Sequence, residues 1–118
     1  MRNMSFALTT QQVRDQSKTV TRRLGWKTLQ PGALLQPVVK GMGLRKGEHP
    51  IKIGGPIRVI SVRREWLHEI EQQPEDCARE GFPQMQPSDF IEMFTRHNNC
   101  ASGDKVTRIE FEYVETSS

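Results

Sequence analysis

Lys18-Thr19-Val20-Thr21-Arg22-Arg23 is the stretch around which the rest of the chain is organised. Its β-branched residues predict an extended backbone, because Val and Thr pack well on a pleated surface and lose rotamer freedom in a helix. In an extended segment alternate side chains share a face, so Lys18, Val20 and Arg22 lie opposite Thr19, Thr21 and Arg23. Three cations and two hydroxyls within six residues suit phosphate, with arginine forks for bidentate contact and hydroxyls as donors. A lysine crowded by two arginines also has its pKa pushed down, as a general base or nucleophile requires. The same six residues serve equally well as a solvated basic strand edge that deters pairing with another chain.

The charge pattern around this stretch is lopsided. The 118-residue chain has a net charge of +3, but Met1–Trp66 carries thirteen Lys or Arg against three acids. Leu67–Ser118 carries four basic residues against eleven acidic ones. Either one surface attracts anions while another repels them, or the two halves neutralise each other in the fold. By length the chain is one domain, residues 1–118, able to bury a core without disulfides or a metal. No run of 18 apolar residues is present, so no membrane span is expected. Met1–Leu8 is too short and polar for a secretion signal, and Cys77 and Cys100 then read as reduced thiols of a cytoplasmic protein.

Working outward, Asn3–Leu8 alternates weakly and predicts a first strand. Thr9 followed by Gln12 predicts a capped short helix over residues 10–16. Ala33–Val39, after the Pro31-Gly32 turn signal, predicts a strand. Ile57–Arg64 predicts another, with a phase shift between Val59 and Ile60 that marks a bulge or burial on both faces. Leu67–Arg79 is helical in composition but split by Pro74 into two short helices. Pro87 opens the clearest helix, about residues 87–96, with Phe90, Ile91 and Phe94 on one face. Val106–Val114 alternates strictly, Ile109, Phe111 and Tyr113 against Arg108, Glu110 and Glu112. Residues 115–118 read as a frayed tail. The expected architecture is α+β: four or more strands, with short helices inserted between the third and the last, suggest a small, partly closed β-barrel.

Other residues bear on binding. Trp26, beside the arginine pair and followed by Lys27, and Trp66 are candidates for stacking on a base or for the core. The segment Lys40–Gly55 holds Lys40, Arg45, Lys46 and Lys52 among five glycines, which predicts a long, mobile basic loop able to track phosphates. His97 and Cys100 have a His-x-x-Cys spacing, but zinc sites need four ligands in paired spacings, so no metal and no cofactor is expected. Asn98 and Asn99 read instead as a helix end. No Gly-Lys-Ser or Gly-Lys-Thr phosphate loop is present.

Lys18–Arg23 also resembles the Gly-x-Lys-x-x-Glu-x-Arg signature of ASCH domains, members of the PUA-like superfamily. Lys18 and Arg23 fall on its Lys and Arg; Gln16 stands at the usual glycine and Thr21 at the usual glutamate. The Lys-Thr-x-Thr form is similar to that of small bacterial amidohydrolases that deacetylate N4-acetylcytidine. In that subgroup the working residues are a lysine, a threonine three residues later and a downstream glutamate, which implies Lys18, Thr21 and Glu80. The Lys-Thr-x-Thr-Arg-Arg run, Glu80-Gly81-Phe82-Pro83 and Arg108–Phe111 resemble ASCH proteins of phages and prophages. The resemblance spans residues 4–114 and implies a small PUA-like β-barrel of about five to six strands with short helices inserted.

Three functional expectations follow. One is binding of RNA, another single-stranded nucleic acid or a nucleotide through Lys18, Thr19, Arg22, Arg23, Trp26, Lys27, Lys40, Arg45 and Lys46. Another is hydrolysis of a modified nucleoside or of RNA, with Lys18 activating Thr21 or water and Glu80 shuttling the proton to the leaving amine. For Glu80 the alternative is a carboxylate that pairs with Lys18 or Arg23 and only shapes the cleft. The last is a phage accessory protein whose acidic half binds a protein partner.

Overall fold

The structure is a computed structural model and describes residues 1–40 and 46–114. Strands β1 (Arg2–Ser5), β2 (Val20–Arg23), β3 (Leu34–Val38), β4 (Ile57–Trp66) and β5 (Lys105–Tyr113) form one mixed sheet. Their order is β1-β3-β4-β5-β2, with β1 parallel to β3 and the other neighbours antiparallel. The helices are α1 (Thr10–Arg14), α2 (Asp76–Arg79) and α3 (Pro87–Asn98), with 3-10 turns at Ala7–Thr9 and Leu67–Gln72. The class is α+β, as the sequence predicts. The sheet is open rather than closed into a barrel, with β1 and β2 at its edges. Both edge strands have only four residues, and β1 runs almost at once into a 3-10 turn, so no ladder joins them. One side chain crosses the gap: Arg23 Nη2 donates to the Ser5 carbonyl at 2.7 Å.

The local signals behave as their chemistry requires. The phase shift in β4 is a bulge, a register slip against β5 between Val59 and Ser61 that leaves Ile60 exposed. Pro74 separates the 3-10 turn at Leu67–Gln72 from α2. Pro87 sits in the first turn of α3, where its missing N–H costs nothing, and Asn99 ends the helix in the left-handed region at φ 51°. The basic loop differs from expectation. Ile53 is buried, its N–H donates to Pro37 O at 2.9 Å, and Lys52 bridges Val38, so the returning limb is pinned to β3. Lys40 and Lys46 are exposed, whereas Arg45 lies outside the described residues, as does the tail 115–118.

Two apolar clusters flank the sheet. Met4, Phe6, Val13, Leu35, Ile57, Ile109 and Phe111 belong to the first. The second joins Leu67, Ile70, Cys77, Phe90, Phe94 and Val106 beneath α3. Gly81 sets how α2 docks on α1. At φ +105° it occupies a region that other residues avoid, and a Cβ there would lie 2.9 Å from Gln12 Cγ. The Gln12 amide in turn donates to Gly81 O at 3.1 Å. Gly81→Ala therefore loses about 1–3 kcal/mol of stability, read as a lower urea midpoint; an unchanged midpoint would show that this docking is not constrained.

Candidate functional site

The segment that leads into β2 is held from both sides. Thr19 N–H donates to Arg79 O at 2.8 Å, Thr19 O accepts from Phe111 N at 2.9 Å, and the Tyr113 hydroxyl donates to Lys18 O at 2.5 Å. These bonds fix Lys18–Arg23 against β5 and the end of α2, so its side chains face groups from distant parts of the chain.

Lys18, Thr21 and Glu80 come together. All three are buried and line one cleft of about 160 Å³. Lys18 Nζ donates to Glu80 Oε1 at 2.9 Å and to Glu80 O at 2.6 Å. Burial pushes the Lys18 ammonium below its usual range; Glu80 opposes that shift, and Arg23 and Arg22 add to it. Thr21 Oγ1 accepts from Arg23 Nε at 3.0 Å, so its own O–H is left to donate. The Arg23 guanidinium lies 4.8 Å above the Phe6 ring and makes no ion pair among the described residues. Burial draws its pKa down to about 10, with Glu80 resisting. Phe82, Phe90, Met93 and Phe94 also line the cleft, and His97 and Leu8 bring exposed side chains to it.

Arg22 takes a different place from the one expected. The sequence places it on a basic face open to phosphate, yet its side chain is 0% exposed. Its guanidinium meets Glu65 Oε1 at 2.9 Å, Asp76 Oδ2 at 2.6 Å and Glu80 Oε2 at 3.1 Å. Arg108 adds bonds of 2.8 and 3.1 Å to Asp76. The fork is thus committed to carboxylates, and it holds the Glu80 oxygen that Lys18 does not. Burial alone would raise the Asp76 pKa, but hydrogen bonds from Arg108 and Arg22, with their charges, hold it well below the usual range. Stability from this group is present above the ordinary value of 3.8 and is lost as pH falls below it. A urea series from pH 7 to 2 should show a steep loss on that limb, which Asp76→Asn flattens while lowering the neutral plateau. A limb equally steep in Asp76→Asn would assign it to other groups.

The halves of the chain therefore neutralise each other in the interior. Lys18 and Arg22 from the basic half take Glu80 and Asp76 from the acidic half. Four buried or cleft-lining cations (Lys18, Arg22, Arg23, Arg108) face three buried carboxylates (Glu65, Asp76, Glu80), and the surplus positive charge is on the cleft side. Asp76, Glu65 and Arg108 were missed by sequence reasoning. Their only signal was a charged residue at an inward position of β4 or β5, or in a short helix.

The remaining candidates scatter. Thr19 is half-buried and engaged through its backbone, and Lys27 is exposed. Trp26 packs on the first apolar cluster in a left-handed conformation, φ 61°, with the Arg2 guanidinium 4.2 Å above its ring. Among the described residues no group of three His, Cys, Asp or Glu could hold a metal ion, and no helix is long and apolar enough to cross a membrane. Cys77 and Cys100 are unbridged.

No family model and no curated protein matches the chain. Its fold is similar to a crystal structure of a protein from Enterococcus faecalis V583 assigned to the family DUF984, with a TM-score of 0.60 at 12% identity. The match covers 99% of this chain and 84% of that one, so the likeness extends over the whole architecture and concerns the fold alone.

Proposed function

We propose that the chain is a PUA-like, ASCH-type domain whose cleft takes up one base of a nucleotide or of single-stranded RNA. The observation that carries this reading is Arg23. It is a cation without an ion-pair partner among the described residues, and it lines the cleft together with Lys18, Thr21 and the apolar side chains of Phe82, Phe90, Met93 and Phe94. A planar ring with electronegative substituents satisfies both sides, apolar on its face and acceptor at its edge. The cleft volume is close to the roughly 150 Å³ that accommodates a benzene-sized ring, which suits one ring rather than a duplex. The ASCH signature gains support at its first position: Gln16, where that signature has glycine, has φ 65°, a conformation glycine adopts without cost. Gln16→Gly is accordingly expected to be neutral or to stabilise by about 0.5–1 kcal/mol; a loss of stability would remove this support.

The test is titration of the protein with nucleoside monophosphates and short RNAs by calorimetry. Arg23→Ala should weaken mononucleotide binding by about tenfold or more, the range for a hydrogen bond to a charged group. Mononucleotide affinity untouched by Arg23→Ala would overturn the reading.

A second reading, hydrolysis of an amide on a modified nucleoside such as N4-acetylcytidine, is favoured by the buried Lys18–Glu80 contact at 2.9 Å. Lys18 in its neutral form takes a proton from water, the water oxygen attacks the acyl carbon, and the same proton passes from Lys18 through Glu80 to the amine nitrogen as the C–N bond breaks, releasing acetate and the amine. Mass spectrometry of the products after incubation with N4-acetylcytidine decides it; no turnover would leave a binding domain.

A further inference from the structure

The strand register places a second set of residues beside the cleft. Arg23 pairs with Thr107 across β2 and β5, and Thr107 pairs with Arg64 across β5 and β4. Two residues further along, Trp66 pairs with Lys105. Paired and alternate positions project from one face, so Arg23, Thr107, Arg64, Lys105 and Trp66 share a side of the sheet. The contacts agree with this. Arg64 Nη1 donates to Thr107 Oγ1 at 2.8 Å, and Lys105 Nζ lies 4.9 Å above the Trp66 ring. Arg64, Lys105 and His68 are exposed, and Trp66 is 45% exposed despite its size. The His68 ring lies parallel to that of Trp66, inclined by 2° with centroids 6.5 Å apart. Neither Arg64 nor Lys105 forms an ion pair among the described residues.

We infer that this face is a track for single-stranded nucleic acid, leading from Arg23 at the cleft, past Arg64 and Lys105, to a base stacked on Trp66. An exposed tryptophan flanked by cations that form no ion pair among the described residues is the combination that holds unpaired bases without regard to sequence. The cations supply charge complementarity to the backbone, whereas a duplex would offer no free base face to Trp66. Strand spacing puts the Arg23 and Trp66 backbones roughly 12 Å apart, so the occupant is longer than one nucleotide. The track extends the proposed base-binding cleft and takes its starting point from that reading.

The test uses the full chain and two probes, a labelled eight-nucleotide single-stranded RNA followed by fluorescence anisotropy, and cytidine monophosphate followed by calorimetry. Trp66→Ala should weaken the RNA about tenfold, leave the mononucleotide unchanged, and be rescued by Trp66→Phe. Trp66 is partly exposed, so its removal keeps the fold, which a melting curve checks. Arg64→Ala with Lys105→Ala should flatten the dependence of log affinity on log salt by about 0.7 per cation removed. RNA bound no more tightly than the mononucleotide, or bound equally by Trp66→Ala, would overturn the track. If the RNA responds to Trp66→Ala while the mononucleotide does not bind at all, the track stands and the cleft reading falls.

Discussion

Replacing Arg22 by Leu should leave the protein at least about 3–5 kcal/mol less stable, the cost of removing one partner from a buried ion pair. The expected fall in melting temperature is roughly 10–25 °C at this chain length. The reason lies in what is left behind. Arg22 is the shared partner of Glu65, Asp76 and Glu80, each nearly or fully sequestered from water. Without it Glu80 keeps Lys18 and Glu65 keeps Arg63 at one oxygen each, Asp76 keeps Arg108 and the half-exposed Arg79, and the interior gains uncompensated negative charge. Arg22→Lys should recover part of the loss, because one ammonium cannot reproduce contacts made by a planar fork. Thermal and urea unfolding measure both variants. A Leu variant within about 1 kcal/mol of the parent would mean that the network contributes little.

The adjacent experiment has the opposite signature. Lys18→Met should fold with a much smaller loss, because Glu80 retains Arg22 and because burial already disfavours the charged form of Lys18. The sign follows from linkage. A lysine whose folded pKa is lowered binds fewer protons folded than unfolded between the two values, so its contribution to stability improves as pH rises through that window. Met removes this dependence. If the cleft hydrolyses a nucleoside amide, the same variant should lose about 10²–10⁴ in turnover, the range for a positioned acid or base. Glu80→Gln should move the Lys18 titration further down, since the carboxylate is what raises it; NMR of the lysine side chains reads this directly. A Lys18 resonance titrating with the exposed lysines would remove the basis for a base or nucleophile here. Turnover that survives Lys18→Met would reject its catalytic assignment.

Much of the architecture was legible from local pattern. The β4 bulge came from a phase shift between Val59 and Ile60, the split around Pro74 from a missing donor, and α3 from Pro87 with apolar residues at helical spacing. Trio convergence was legible only through the resemblance, since nothing in the spacing of Lys18 and Glu80 relates them. The open sheet was not legible, because closure depends on whether β1 and β2 meet, and those strands are far apart in pairing order. Nor could composition reveal whether the oppositely charged halves stand apart or interlock; in the fold Lys18 and Arg22 of one half pair with Glu80 and Asp76 of the other.

Arg22 and Arg23 mark the division most clearly. Alternation along an extended segment was enough to send them to opposite faces of β2. Which face would be lined with carboxylates and which would border a cleft depended on partners 43 to 58 residues away for Arg22, and on a carbonyl 18 residues back for Arg23. Periodicity is a property of the local backbone and is written in neighbouring residues. Ion pairing is a property of the whole fold, because burial makes an unmatched charge costly and the match can come from any strand or helix that the topology brings near.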